Sequence, residues 1–155
     1  MLSQTTEYAL RAAVFLARGD GSPQTSQSIA AGTRVPGHYL SKILHGLSRA
    51  GVVASQRGPH GGFTLVRPAA ELTLLDVVNG VEPIRRLRGC PLGLTEHGVN
   101  LCPLHRRLDS AIAQVEEILG STTLAAVLDR PGESVPLGAV ARRCPFPLPA
   151  PAAAT

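Results

Sequence analysis

The stretch Val35-Pro36-Gly37-His38-Tyr39-Leu40-Ser41-Lys42-Ile43-Leu44-His45-Gly46-Leu47-Ser48-Arg49-Ala50-Gly51-Val52-Val53, with Arg57-Gly58-Pro59-His60-Gly61-Gly62-Phe63-Thr64-Leu65 close behind it, decides the fold. Tyr39, Leu40, Ile43, Leu44 and Leu47 recur at three- and four-residue spacing, which predicts a helix with one apolar face. Pro36 suits its first position and Gly51 its end. Residues 52–56 and 63–66 read as two short paired strands, and the glycines between them permit positive backbone dihedrals and a close approach to phosphate. A polar-faced helix followed by a glycine-rich hairpin with arginine at its base is the order a winged helix-turn-helix uses to enter a DNA groove and grip the flanking backbone.

Working outward, Leu10, Ala13, Val14 and Ala17 predict a first helix over 5–18, stopped by Gly19-Asp20-Gly21-Ser22-Pro23. A second helix begins near Ser26 and carries Ile29, Ala30 and Ala31, with 32–35 making the turn. Two helices joined so tightly form the helix-turn-helix. Downstream, Thr73 caps a helix through Leu74, Leu75, Val77 and Val78 that ends at Gly80. Periodicity vanishes over 82–101, a loop. It returns as Leu104, Leu108, Ala111 or Ile112, Val115, and Ile118 or Leu119, a long helix with an apolar seam. Residues 122–128 read as a last short helix, and the Pro- and Ala-rich chain from 131 onward as disordered. The expected fold class is mainly α: a winged helix-turn-helix with a two-stranded β wing and a long C-terminal dimerisation helix. Its parts are a DNA-binding domain over 1–80, a cysteine-containing sensor loop over 81–103, a dimerisation region over 104–130 and the tail 131–155.

Composition bounds the partners. The 155 residues contain only 3 % aromatics and no Trp, so the core is aliphatic and helix-on-helix packing is favoured over a sheet sandwich. The net charge of +4 suits a polyanion without requiring one. No run of about 18 apolar residues exists to span a membrane, and the start of the chain lacks the pattern of a signal peptide. A cytoplasmic location is expected, where disulfides are rare. Cys90, Cys102 and Cys144 therefore need another explanation.

On the third helix His38, Ser41, Lys42 and His45 form the polar face, with Tyr39 beside them, and they suit base edges and phosphates. Arg57 at the base of the wing, and His60 with Gly61 at its tip, reach the backbone or the minor groove. Ser26 at the start of the second helix offers a hydroxyl and an N–H to phosphate. Taken singly, each residue fits a solvated amphipathic helix or an ordinary hairpin. Taken together, the arrangement points to double-stranded DNA.

The runs 39–44, Leu47, 50–53 and 57–63, the opening Thr6-Glu7-Tyr8-Ala9-Leu10-Arg11, and Leu74-Leu75-Asp76-Val77-Val78 with Gly80-Val81-Glu82 resemble the IscR/NsrR-type (Rrf-type) family of bacterial winged-helix transcriptional regulators. The likeness covers residues 1–128. It implies a homodimeric repressor, sometimes an activator, whose long C-terminal helices cross to build the dimer. The apolar seam over 104–119 supports a dimer independently, although packing within one subunit would also bury it. Two recognition helices about a two-fold axis would read half-sites about one helical turn apart, so a pseudo-palindromic operator is expected.

Cys90 and Cys102 lie twelve positions apart, beside Glu96, His97, Asn100 and His105. Members of the resembled family that sense iron–sulfur status or nitric oxide carry three cysteines in this loop, the outer two at this separation. Here the middle position is Glu96. The resemblance implies an iron–sulfur cluster, [2Fe–2S] rather than [4Fe–4S], on Cys90 and Cys102, with His105 and Glu7 completing the ligands and Glu7 reaching the partner subunit's cluster. Such mixed ligation is tolerated by iron–sulfur centres and shifts their potential, and an oxygen ligand makes the cluster labile. Two other readings stay open: a thiol pair that oxidises without metal, and cysteines that are merely small buried hydrophobes. His97 has only proximity to recommend it, and Cys144 sits in the tail.

No Gly-x-Ser-x-Gly, Gly-Lys-Ser/Thr phosphate loop or paired-histidine zinc motif marks an enzyme. The sequence thus predicts a dimeric DNA-binding regulator, in the repressing sense, that senses redox, nitric oxide or iron–sulfur status. The alternatives are a cluster-free thiol-based regulator and a partner-controlled regulator of the same fold.

Overall fold

The structure is a computed structural model and describes residues 2–89, 101–129 and 136–137. Among the described residues, six helices and one two-stranded antiparallel sheet follow in the order α1 (Gln4–Ala17), α2 (Ser26–Thr33), α3 (Gly37–Arg49), β1 (Val53–Gln56), β2 (Gly62–Leu65), α4 (Leu74–Val81), α5 (Pro103–Ser121) and α6 (Leu124–Leu128). The fold is the mainly helical winged helix-turn-helix with a long C-terminal helix that the sequence predicts.

Helix α1 is capped by Ser3, whose hydroxyl accepts the Thr6 N–H. Its Ala9, Ala12 and Ala13 are fully buried, and their small side chains let α2, α3, α4 and α6 approach it closely. Ile29 of α2, Leu40, Leu44 and Leu47 of α3, Val77 of α4 and Leu124 of α6 complete the core around it. Helix α4 opens on a reciprocal cap, in which Thr73 accepts the Asp76 N–H and Asp76 accepts the Thr73 N–H.

Two local details differ from expectation. Pro36 stands just ahead of α3 rather than inside it, because its carbonyl accepts the Tyr39 and Leu40 N–H groups. Gly32, expected in the turn, belongs to α2, and Arg34 makes the turn in the left-handed region at φ 57°. Gly32 is there for packing: a Cβ at this position would overlap the Phe15 ring, standing 2.6 Å from Cδ2.

Strands β1 and β2 pair with Val53 opposite Leu65 and Gln56 opposite Gly62. A short bridge fixes this wing to the chain ahead of α2: Gln24 N–H donates to the Phe63 carbonyl at 3.0 Å, and Phe63 N–H returns to Gln24 at 2.8 Å. Helix α5 lies on α4, and α6 turns back to the main body, where Leu124 N–H donates to Leu72 and Ala125 N–H to Ala69. Of the tail, Pro136 accepts a hydrogen bond from Arg18 at 2.6 Å and Leu137 packs against the core. The seam of α5 divides. Leu119 is buried and Ile112 half-buried, whereas Leu104, Leu108, Val115 and Ile118 are 43 to 64 % exposed. No helix among the described residues is long and apolar enough to cross a membrane.

Candidate nucleic-acid interface and cysteine site

The core grips Leu40, Ile43, Leu44 and Leu47, so the opposite side of α3 is turned to solvent. His38, Ser41, Lys42 and His45 all stand exposed there. Ser41 donates its hydroxyl to the Gly37 carbonyl at 3.2 Å, which leaves its oxygen lone pairs available. Ser26 lies in the first turn of α2, behind Thr25, whose hydroxyl accepts the Ser28 N–H. Ser26, Ser41 and His45 meet in one cleft of about 250 Å³, joined by Ser48, Ser55 and Phe63. On the other flank of α3, Lys42 and His45 line a cleft of about 520 Å³ with Arg49 and Asn79.

Tyr39 departs from its expected place in the apolar face. It sits at the edge of that face, 49 % exposed, with its ring 4.2 Å from His38 and 6.2 Å from Tyr8. Arg57 and His60 are exposed on the wing. At its tip Gly61 donates its N–H to the Gly58 carbonyl at 2.9 Å, and a Cβ on Gly61 would overlap the Gln56 carbonyl. Lys42, Arg49 and Arg57 pair with no carboxylate among the described residues. An unpaired cationic and hydroxyl-rich ridge beside a hydrogen-bonded wing is chemically suited to phosphates and base edges. Arg49, Ser48 and Ser55 escaped the sequence reading. Arg49 could have been found from its spacing, four positions beyond His45 and seven beyond Lys42.

Cys102 is the residue immediately before α5, and His105 is in the first turn. The Cys102 Sγ and His105 Nδ1 lie 3.2 Å apart in a half-buried setting. Two donors of one tetrahedral metal, at about 2.3 Å for sulfur and 2.0 Å for nitrogen, stand roughly 3.5 Å apart, so this pair fits one edge of a metal centre. The unpaired N–H groups at the start of α5 add favourable partial positive charge beside the sulfur. Glu7 is elsewhere, on the exposed side of α1, where it pairs with Arg11 at 2.6 Å. No three His, Cys, Asp or Glu side chains gather into a metal site among the described residues. Cys90, Glu96, His97, Asn100 and Cys144 lie outside the described residues.

Residues 2–130 match the family described as Rrf2, iron-dependent transcriptional regulator. The chain belongs to the Rrf2 family. It is 33 % identical over 134 residues to the helix-turn-helix transcriptional regulator NsrR of Geobacillus kaustophilus, covering 83 % of this chain and 89 % of that one. Two solved structures share its fold at 26 % identity. CymR, the global cysteine regulator of B. subtilis, aligns with a TM-score of 0.67 over 82 % of this chain and 95 % of its own. IscR of T. potens aligns with a TM-score of 0.68 over 83 % and 85 %. As an Rrf2 protein the chain is a DNA-binding transcriptional regulator and not an enzyme.

Proposed function

We propose that this Rrf2 protein is a cytoplasmic homodimeric repressor that reads a pseudo-palindromic operator through α3 and the wing. The observation that carries the reading is the exposed ridge of His38, Ser41, Lys42 and His45 beside a wing bearing Arg57 and His60. Ser26 contacts phosphate at the start of α2, Tyr39 supports His38, and Gly61 lets the wing tip approach the backbone. The exposed α5 stripe of Leu104, Leu108, Val115 and Ile118 buries against the same stripe of a second copy about a two-fold axis. The two α3 helices then stand about one turn of DNA apart.

The proposed signal enters at α5. Cys90, Cys102 and His105 of one subunit, with Glu7 of the partner subunit, would hold an iron–sulfur cluster, [2Fe–2S] in preference to [4Fe–4S]. When bound, the cluster supplies an iron centre sensitive to redox state and nitric oxide. In that role Glu7 would leave its ion pair with Arg11 and would tie α1 of one subunit to α5 of the other, so setting the spacing of the two α3 helices. A coupling of about 1–3 kcal/mol changes DNA affinity about 5- to 150-fold. The Cys102–His105 contact also favours a second reading, a metal-free reactive thiol beside an imidazole.

Duplex binding measured across a salt series tests the DNA reading. Lys42→Ala and Arg57→Ala should each weaken binding and lower the salt slope by about one. Unchanged affinity and unchanged slope in both variants would overturn it.

A further inference from the structure

We infer that the cleft between α3 and the end of α4 is a seat for a phosphate carried on a sugar-sized body. The inference rests on the reading above for the orientation of α3 and adds Arg49 and Asn79 to its working surface. At about 520 Å³ the cleft falls in the size range of small-molecule sites, about 300–1,000 Å³. Its polar lining residues are Thr5, Lys42, His45, Arg49 and Asn79, and no carboxylate residue contributes to it.

Each of these groups is available as a donor. Lys42 and Arg49 have no ion pair among the described residues. Asn79 accepts the Ile84 N–H on its Oδ1 at 3.1 Å, so the polar atom left over is its NH₂ group. The neighbouring acid, Glu82, is already engaged by the hydroxyls of Ser3 and Thr6 at the start of α1. A concavity whose side chains donate and carry positive charge selects an anion. The several acceptor oxygens of a phosphate match this donor set better than the two of a carboxylate. Ile43, Val81 and Pro83 give the cleft an apolar wall for the face of a sugar.

One chemistry serves two sources: a backbone nucleotide of the duplex flanking α3, or a free sugar phosphate competing for Lys42 and His45. The test uses the full chain and its Arg49→Gln, Arg49→Lys and Arg57→Gln variants. Binding to a mixed-sequence duplex is measured across salt, and ribose 5-phosphate is titrated separately while backbone amide shifts are followed. If the source is DNA, Arg49→Gln binds duplex about three- to tenfold more weakly with a salt slope about one lower, and Arg49→Lys restores both. If the source is a free ligand, ribose 5-phosphate shifts the amides of α3 and of residues 79–81 in the wild type and not in Arg49→Gln. Arg49 also sits in the last turn of α3, where a cation favours the helix end. A lower Tm in Arg49→Gln with unchanged duplex binding and no ribose 5-phosphate response would reduce it to that role and overturn the inference. Loss of duplex binding in Arg57→Gln but not in Arg49→Gln, with no amide response to ribose 5-phosphate, would sink this inference while leaving the DNA reading intact. A folded wild type that binds no duplex would remove the DNA reading, and the sugar phosphate titration would then decide the cleft by itself.

Discussion

Arg86 closes a two-pronged clasp on Asp109, with Nε 2.7 Å from one carboxylate oxygen and Nη2 2.6 Å from the other. The Leu87 N–H donates to the same carboxylate at 2.9 Å, and Glu116 stands 3.4 Å from Nη1. This clasp fastens the early part of the 81–103 loop, just beyond α4, to the side of α5. Asp109 keeps only 17 % of its side chain exposed. The Arg86 hydrogen bond, helped by the Leu87 N–H, holds its carboxyl below the usual carboxylate range, against the opposing effect of burial. At acid pH the unfolded chain therefore binds a proton at Asp109 that the folded chain still refuses. The stabilisation is complete above the unfolded Asp pKa of about 3.9 and disappears as pH falls through the lower folded value. Asp109→Asn should melt below the wild type at neutral pH, with the gap in Tm closing in acid. A gap that stays constant throughout the acid range would show that Asp109 does not carry this linkage.

The contact between Gly32 and Phe15 sets how closely the helix-turn-helix sits on α1. Gly32→Ala forces a methyl group into the Phe15 ring and should cost about 1–3 kcal/mol, read as a lower midpoint in urea. Phe15→Leu frees space at the same place, so the double variant should recover part of the loss contributed by Gly32→Ala. Purely additive effects would mean that the two positions do not share this contact.

The apolar side of α3 was legible because Leu40, Ile43, Leu44 and Leu47 repeat at the helical period, and the Thr73 cap because its signal is local. Gly32 misled because glycine marks a turn and a close helix approach with the same letter; only the position of Phe15, seventeen residues away in sequence, separates the two. Tyr39 misled because it lies at the border of the apolar face, where hydropathy alone does not decide exposure. The return of α6 onto the main body rests on main-chain bonds from Leu124 to Leu72 and from Ala125 to Ala69, and no periodicity encodes such pairing. Arg49 and Asn79 share a cleft although thirty positions apart, which depends on how α4 crosses α3. On the exposed side of α3, by contrast, spacing along one helix sufficed to bring His38, Ser41, Lys42 and His45 together.

Leu108 tests the α5 stripe with little risk to the single-chain fold, since it is 48 % exposed. In a two-fold dimer each substitution acts twice. Losing the burial of two leucines, at about 1.5–3 kcal/mol for each fully buried side chain, and introducing two charges should weaken association by at least about 100-fold. Sedimentation of Leu108→Asp should show a monomer with wild-type helix content, and its duplex affinity should fall because the two α3 helices no longer bind together. A variant that remains dimeric at the same concentration would place the subunit interface elsewhere.

The contact between Cys102 and His105 separates the metal and thiol readings of the sensor. If both side chains are cluster ligands, anaerobically purified protein carries iron and sulfide and absorbs in the visible. Cys102→Ala and Cys90→Ala should then each abolish the iron, and Cys144→Ala should leave it in place. His105→Ala should retain a cluster only with a shifted spectrum and potential, because replacing an imidazole ligand changes the electron density at iron. Glu7→Ala should behave likewise and should also release Arg11 from its present partner. An unaltered spectrum in His105→Ala would make the 3.2 Å contact a hydrogen bond and not a shared metal edge. Colourless protein with no iron after reconstitution would dismiss the cluster. In that event duplex binding that falls on treatment with peroxide, and is spared in Cys102→Ser, would assign the signal to the thiol itself.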